Sequence, residues 1–349
     1  MAGCTFNNVT ISGIACALPS KKVYTDDYIE HFGLDSIEQF KKTTGIVSRY
    51  LSNGRQTASD LCYVAARELM KKKNLSGDDI DALIYITQTP DYKIPATSFV
   101  LHKRLEIKKE CLVFDMNLGC SAFVNGIYVI SGLIESGAIN RALLLIGDAE
   151  LEHPIYEDRS FTMMFGDAGS ACLMERGHSS IKGIIKSDGG GYDTLITWCP
   201  GARFPHGIPE KDGAFKKMDG DDVFLFTITE VPKLFKQFFK EYECGWEDFD
   251  YCILHQANMM ILNHVAKRIK LPKEKMAISI DKYGNTDGAS IPVGIVDLCE
   301  NLQSSTTLKL LTSGFGIGLS WGLMAFDIDT DNVLPMIITD EYYEEGYII

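Results

Sequence analysis

Short apolar runs alternate along this chain with longer stretches in which apolar residues return every three or four positions. The short runs are rich in β-branched residues and predict strands at 9–14, 82–87, 112–116, 142–146, 170–174, 181–187, 251–254, 277–280, 308–312 and 319–326. Between them, 57–72 opens on Thr57, Ser59 and Asp60 and sets Leu61, Val64, Ala65 and Leu69 on one helical face. Residues 121–136 do the same with Phe123, Ile127, Ile130 and Ile134. A third helix, 223–240, carries Phe224, Ile228, Val231, Phe235 and Phe238, with Pro232 inside it as a candidate kink. This alternation predicts an α/β protein with largely parallel strands.

The order of elements repeats. A strand leads into "DMNLGCSAFVNG" from Asp115, and 166 residues later a strand leads into "DKYGNTDGASIPVG" from Asp281. The same offset carries Gly147-Asp148-Ala149 onto Ser313-Gly314-Phe315, and nearby offsets match 82–87 with 251–255 and 9–15 with 181–187. The expected organisation is two duplicated halves, 1–178 and 179–330, followed by a tail, 331–349. Alike halves would bring equivalent strand-to-helix corners together at one interface, and chemistry is expected there. From Asp327 onward the chain is acidic, without Lys or Arg, but holds Val333, Leu334, Met336 and several tyrosines. Such a tail either packs back on the body or meets a partner.

Composition narrows the function classes. With 349 residues, 46% hydrophobic, the chain can bury a large core, and no apolar run approaches the ~20 residues of a membrane span. Its start lacks the basic and apolar segments of a secretory leader. A net charge of −13 without a Lys/Arg block argues against non-specific nucleic-acid binding. Ten cysteines form no CxxC pair, so the expectation is buried free thiols in a reducing cytoplasm and no metal site.

Among the cysteines, Cys120 stands between a strand and an amphipathic helix, where the positive end of the helix dipole favours a thiolate. By position it is either a nucleophile or a buried turn residue. His255 closes an apolar strand and faces the usual ligand crevice of an α/β sheet, or else caps the next helix. Asn285 occupies the corner equivalent to that of Cys120, as an amide donor or as a simple turn residue. The run from Ser313 to Gly318 offers backbone N–H groups suited to an oxyanion. His31, His102, His153, His178, His206 and His264 lie in polar or helix-surface settings and read as structural or solvent-facing.

Taken in order, "DMNLGCSAF", "HQAN", "YGNTDGAS" and "GFGIGLSWG" resemble the β-ketoacyl-ACP synthase III family of the thiolase-like superfamily. The resemblance extends to Thr44-Gly45-Ile46 with Arg49-Tyr50, to Phe165-Gly166-Asp167-Ala168-Gly169 and to Ser187-Asp188-Gly189, and spans 9 to about 328. It implies a five-layered α-β-α-β-α fold of two duplicated halves and a homodimer. It implies that Cys120 takes the acyl group from an acyl-CoA or acyl-ACP, and that His255 and Asn285 stabilise the enolate of a decarboxylating malonyl-ACP. The backbone N–H groups of Cys120 and Ile317 would form the oxyanion site, with no metal or redox cofactor.

Departures from the family pattern accompany it. Gln39 stands where a Trp usually stacks on adenine, Met260 where an Arg lies near the entrance, and Asp287 where a Ser or small residue follows Asn285. Ile317 replaces a usual Gly, and Ile94, before Pro95, replaces the Phe that reaches into the partner subunit's acyl pocket. Lys267, Arg268, Lys270, Lys273 and Lys275 form a local basic cluster suited to an acidic acyl carrier protein. Two other functions fit the motifs. One is acyl transfer from Cys120 to a hydroxyl, amine or β-keto acceptor without decarboxylation, and the other is a non-catalytic partner subunit.

Overall fold

A computed structural model describes residues 3–150, 153, 155, 158–198, 201–204 and 216–347; Cys199 and His206 lie outside them. Two mixed sheets dominate. The first runs, in spatial order, Ile337–Thr339, Val9–Pro19, Ala168–Arg176, Arg141–Asp148, Ala82–Ile86, Leu112–Met116. The second runs Cys4–Phe6, Ile181–Ser187, Ser320–Asp329, Thr307–Gly316, Tyr251–Leu254. Starting from Val9–Pro19 and from Ile181–Ser187, the two sheets pass through their strands in the same order, except that the second has no counterpart of Leu112–Met116.

Helices Ala122–Glu135 and Ser290–Glu300 lie between the sheets. Ala58–Lys72 covers the outer face of the first sheet, and Gly220–Tyr242 the outer face of the second. The result is the five-layered α-β-α-β-α arrangement, with one apolar cluster for each helical layer. Because helices cover both faces, the inner strand Ala82–Ile86 is buried at every residue and its sequence is apolar throughout. Pro232 sits inside Gly220–Tyr242 without ending it. Among the described residues, no helix is long and apolar enough to cross a membrane.

Two expectations need correction. The sheets are not largely parallel: Ala82–Ile86 is parallel to both neighbours, but Ala168–Arg176 and Ser320–Asp329 run antiparallel to theirs. The physical reason is plain for Thr307–Gly316, which returns as Ser320–Asp329 through a turn far too short for the crossover that a parallel pair requires. Residues 277–280 form no strand. Only Met276 bridges to Cys252, and Ile280–Tyr283 is already helical. Gln256 occupies the backbone groups that a ladder would use, accepting from Ser279 N–H (3.0 Å) and donating to the carbonyls of Leu254 (2.7 Å) and Ala277 (3.5 Å).

The acidic tail packs back on the body. Ile337–Thr339 pairs in parallel with Val9–Pro19, and Glu341 meets Arg67 at 2.8 Å. Beyond it, Tyr343 donates its N–H to the buried Asp60 carboxylate (2.9 Å), which also accepts from Arg104 at 2.7 Å and caps its own helix at Thr57 N–H. Arg104 lies 4.1 Å from the Tyr63 ring and 4.7 Å from Tyr343. Replacing Arg104 with Ala leaves the Asp60 charge buried without its cation. We expect a loss of about 3–5 kcal/mol in chemical denaturation, against less than about 1 kcal/mol for the exposed Lys103→Ala.

Candidate active site

Cys120 stands in the turn between Leu112–Met116 and Ala122–Glu135, closed by Ala122 N–H donating to the Gly119 carbonyl (2.7 Å). The turn is held to the second half of the molecule: Ser121 Oγ donates to Ser320 Oγ (3.0 Å), and Asn125 Nδ2 lies 3.3 Å from the same oxygen. Opposite runs the end of Thr307–Gly316. A Cβ on Gly316 would stand 2.6 Å from Cys120 Cβ and 2.8 Å from its Sγ, so the two backbones reach this separation only with glycine there.

His255 follows the strand Tyr251–Leu254 and extends its ladder, its N–H donating to the Ser313 carbonyl (2.8 Å). The ring is 1% exposed, packs edge-on against Phe315 at 5.6 Å, and has Nδ1 2.7 Å from Ser290 Oγ. Burial pushes its pKa down to about 3, opposed by the nearby Asp287 carbonyl, so the imidazole is neutral near pH 7.

Asn285 is fixed through its backbone, donating to the Met164 carbonyl (2.9 Å) and accepting from Gly166 N–H (3.0 Å). The preceding Gly284 has φ +67°, a left-handed conformation that favours glycine. Asn285 Oδ1 accepts from Asp287 N–H (3.0 Å), which leaves its NH2 group as the donor.

Asp287 is the residue that sequence reasoning undervalued, noticing it only as a departure from a family pattern. It adopts φ +46°, a region Asp tolerates better than most residues. Its N–H donates to Asn285 Oδ1, its carbonyl lies beside the His255 ring, and its carboxylate lies near the Cys120 thiol. The expected preference of Cys120 for the thiolate is therefore corrected. Burial, then the Asp287 carboxylate, raises the thiol well above its ordinary value.

The other predicted residues lie around this centre. Ile317 is half-buried in the turn after Gly316, and Ile94 is 84% exposed in the single chain. Gln39 and Met260 are exposed on two packed helices, Leu34–Thr44 and Met259–Ile269. Lys267, Arg268 and Lys270 are exposed at the end of the second of these, although Arg268 also donates to the Ile228 carbonyl (2.9 Å). Lys275 is turned inward onto the Trp246 and Phe249 carbonyls, so it is no part of a docking surface. The nine described cysteines are free thiols. Among the other histidines, His102, His153 and His264 make local contacts with Lys108, Asp167 and Met260 respectively.

Comparison with known proteins gives a consistent picture. Family profiles for 3-oxoacyl-[acyl-carrier-protein (ACP)] synthase III match residues 114–191, and those for its C-terminal part match 239–328. The β-ketoacyl-[acyl-carrier-protein] synthase III of Streptococcus gordonii is 32% identical over 323 residues, covering 91% of this chain and 98% of that protein. That of Streptococcus mutans matches to the same extent. The crystal structure of a 3-oxoacyl-(acyl-carrier protein) synthase from Burkholderia xenovorans superposes with a TM-score of 0.88 at 34% identity, covering 97% of this chain and 99% of that one. The synthase III of Aquifex aeolicus gives 0.82 at 26% identity, covering 92% and 100%.

The Gly316 contact generates a test. Gly316→Ala forces the Cys120 side chain to move, and a misplacement near 1 Å costs about 10²-fold in rate. We expect turnover to fall by about that factor while stability falls by only about 1–3 kcal/mol, read by steady-state kinetics and chemical denaturation of one preparation.

Proposed function

The chain belongs to the 3-oxoacyl-(acyl-carrier-protein) synthase III family, and on that premise we propose that Cys120 is its nucleophile and His255 and Asn285 its enolate-binding pair. The enzyme is an acyltransferase that condenses an acyl thioester with a malonyl thioester to a β-ketoacyl product. The observation that carries the residue assignment is the convergence of all three side chains on Asp287.

In the loading step, Cys120 Sγ attacks the acyl thioester carbonyl. The N–H groups of Cys120 and Ile317 receive the oxyanion. The donor C–S bond breaks, and the donor leaves as a thiol carrying the proton that Cys120 gives up. The acyl group thus passes to sulfur at little energetic cost, thioester for thioester. The malonyl thioester then binds and loses CO2. Negative charge appears on its thioester oxygen, where the neutral His255 ring and the Asn285 NH2 group donate. A neutral imidazole suits this task, because it donates without first having to bind a proton in a buried site. The enolate carbon attacks the acyl–Cys120 carbonyl, the C–S bond breaks, and the β-ketoacyl thioester leaves. Each step is carried by the chain's own groups and the two thioesters.

Lys267, Arg268 and Lys270 form the proposed docking face for acyl carrier protein, a local positive surface on a chain of net charge −13. A homodimer would give the exposed Ile94 its place in the partner's acyl pocket. Acyl thioesters and nine free thiols fit a cytoplasmic setting.

Cys120→Ala should abolish acyl-enzyme, seen as loss of the mass increment on incubation with donor. Asn285→Ala should keep the acyl-enzyme yet lower release of labelled CO2 from malonyl-ACP by about 10²–10³-fold. A wild-type enzyme that turns over without releasing CO2 would instead be a plain acyl transferase.

Donor choice follows from the departures. Without the adenine-stacking Trp at Gln39, nucleotide binding loses about 1–3 kcal/mol, and Ile94 in place of an aromatic ring opens the acyl pocket. We expect C6–C10 acyl-ACP donors to acylate Cys120 faster than acetyl-CoA, measured by intact mass across a donor panel. The reverse order would remove the argument from Gln39 and Ile94.

A further inference from the structure

Two sequence motifs have no part in the condensing steps above: Arg49-Tyr50, and the run from Phe165 to Gly169. The fold sets them against one another beside Asn285. Arg49 lies on the strand Ser48–Leu51 and is 1% exposed. Its Nη1 donates to the Met163 carbonyl (2.7 Å), and its Nη2 to the Thr162 carbonyl (2.6 Å) and the Tyr28 hydroxyl (2.8 Å). Thr162 and Met163 end the short helix Arg159–Met163, where carbonyls have no partner within the helix. Three acceptors on two segments suit the planar fork of Arg and not the ammonium of Lys.

The segment gripped in this way is the one that fixes Asn285. Directly after Met163, the Met164 carbonyl accepts from Asn285 N–H (2.9 Å), and Gly166 N–H donates to the Asn285 carbonyl (3.0 Å). Arg49 also packs against this joint, since a Cβ added at Gly166 or at Gly284 would stand 3.2 Å from Arg49 Cβ. From the same strand, the Tyr50 carbonyl accepts from Asp167 N–H (2.8 Å), and Ser48 Oγ donates to the Lys282 carbonyl (3.0 Å). Cys120 takes its position from other contacts: its turn is held at Ser320 and faces Gly316.

We propose that Arg49 is the positioning residue of Asn285. It fixes the backbone of 162–166, which sets where the Asn285 NH2 group meets the enolate, and it thereby serves decarboxylation and not acyl loading. The inference rests on Asn285 as an enolate-binding residue. Arg49 itself touches no reacting atom and moves no proton; it acts through the carbonyls it binds.

The test uses the full-length enzyme with Arg49→Lys, Tyr28→Phe, Asn285→Ala, and the doubles that combine each of the first two with Asn285→Ala. Rapid quench and intact mass give the rate of acyl–Cys120 formation with octanoyl-ACP or acetyl-CoA as donor. Release of CO2 from labelled malonyl-ACP is then timed on the acylated enzyme. Arg49→Lys keeps the charge and loses the fork. It should load Cys120 within about twofold of the wild-type rate while CO2 release falls by about 10–10²-fold, the cost of misplacing a reacting group by up to about 1 Å. In the Asn285→Ala background the same change should add less than about twofold, because the group it positions is already gone. Tyr28→Phe removes one of the three contacts and should show the same pattern with a loss of about three- to tenfold. It carries the comparison alone if Arg49→Lys does not fold.

Equal losses in loading and in CO2 release would make Arg49 a general support of the fold and overturn the proposal. Losses that multiply fully in the Asn285→Ala background overturn it too, as does unchanged CO2 release in both single variants. If Asn285→Ala by itself leaves CO2 release unchanged, the enolate-binding assignment fails, and the role of Arg49 with it.

Discussion

One turn residue binds the site together with three different parts of itself. Asp287 binds Asn285 through its N–H, and it sets its carbonyl beside the His255 ring and its carboxylate near the Cys120 thiol. These partners belong to three separate segments, each anchored by its own strand or turn. Backbone groups do not titrate, so two of the three contacts are independent of pH and fix geometry. The third places a charge beside sulfur. Orientation and electrostatics thus come from the same residue, the first through its backbone and the second through its side chain.

The energetic character of the site follows from burial rather than from the helix beside it. A helix terminus stabilises a nearby anion by about 0.3–1 kcal/mol when exposed, whereas full desolvation moves a pKa by up to 3–5 units. Burial therefore decides the protonation state of His255, and for the half-buried Cys120 it acts together with the nearby Asp287 carboxylate. His255 stays neutral, a donor that needs no proton, and Cys120 stays a thiol until it reacts. A resting thiol resists adventitious oxidation better than a resting thiolate, at the expense of needing a proton acceptor during attack.

The layers explain why the site can be held so tightly. Helices cover both faces of both sheets, and the central pair, Ala122–Glu135 and Ser290–Glu300, packs between them in one apolar cluster. Cys120 precedes the first of these helices and Asp287 the second, so displacing either corner would disturb that shared core. The two sheets are also laced by their ends. Cys4–Phe6 joins the second sheet, while Ile337–Thr339 crosses back to the first.

Local pattern determined much of this protein. Strand and helix positions, the repeated order of elements, the corner locations of Cys120 and Asn285 and the strand-end location of His255 all follow from periodicities that each segment carries within itself. Tertiary structure decided the rest, because the interactions concerned join residues far apart in the chain. Residues 277–280 have a strand's composition, yet Gln256 takes the hydrogen bonds that would have made them one. The tail is acidic enough to suit a partner, but Arg67, Arg104 and the free edge of Val9–Pro19 supply its contacts within the same chain. Asp287 reads in sequence as a turn residue beside Asn285; its role depends on Cys120 and His255 arriving from two other segments, and only burial in their company gives its carboxyl group leverage over the thiol.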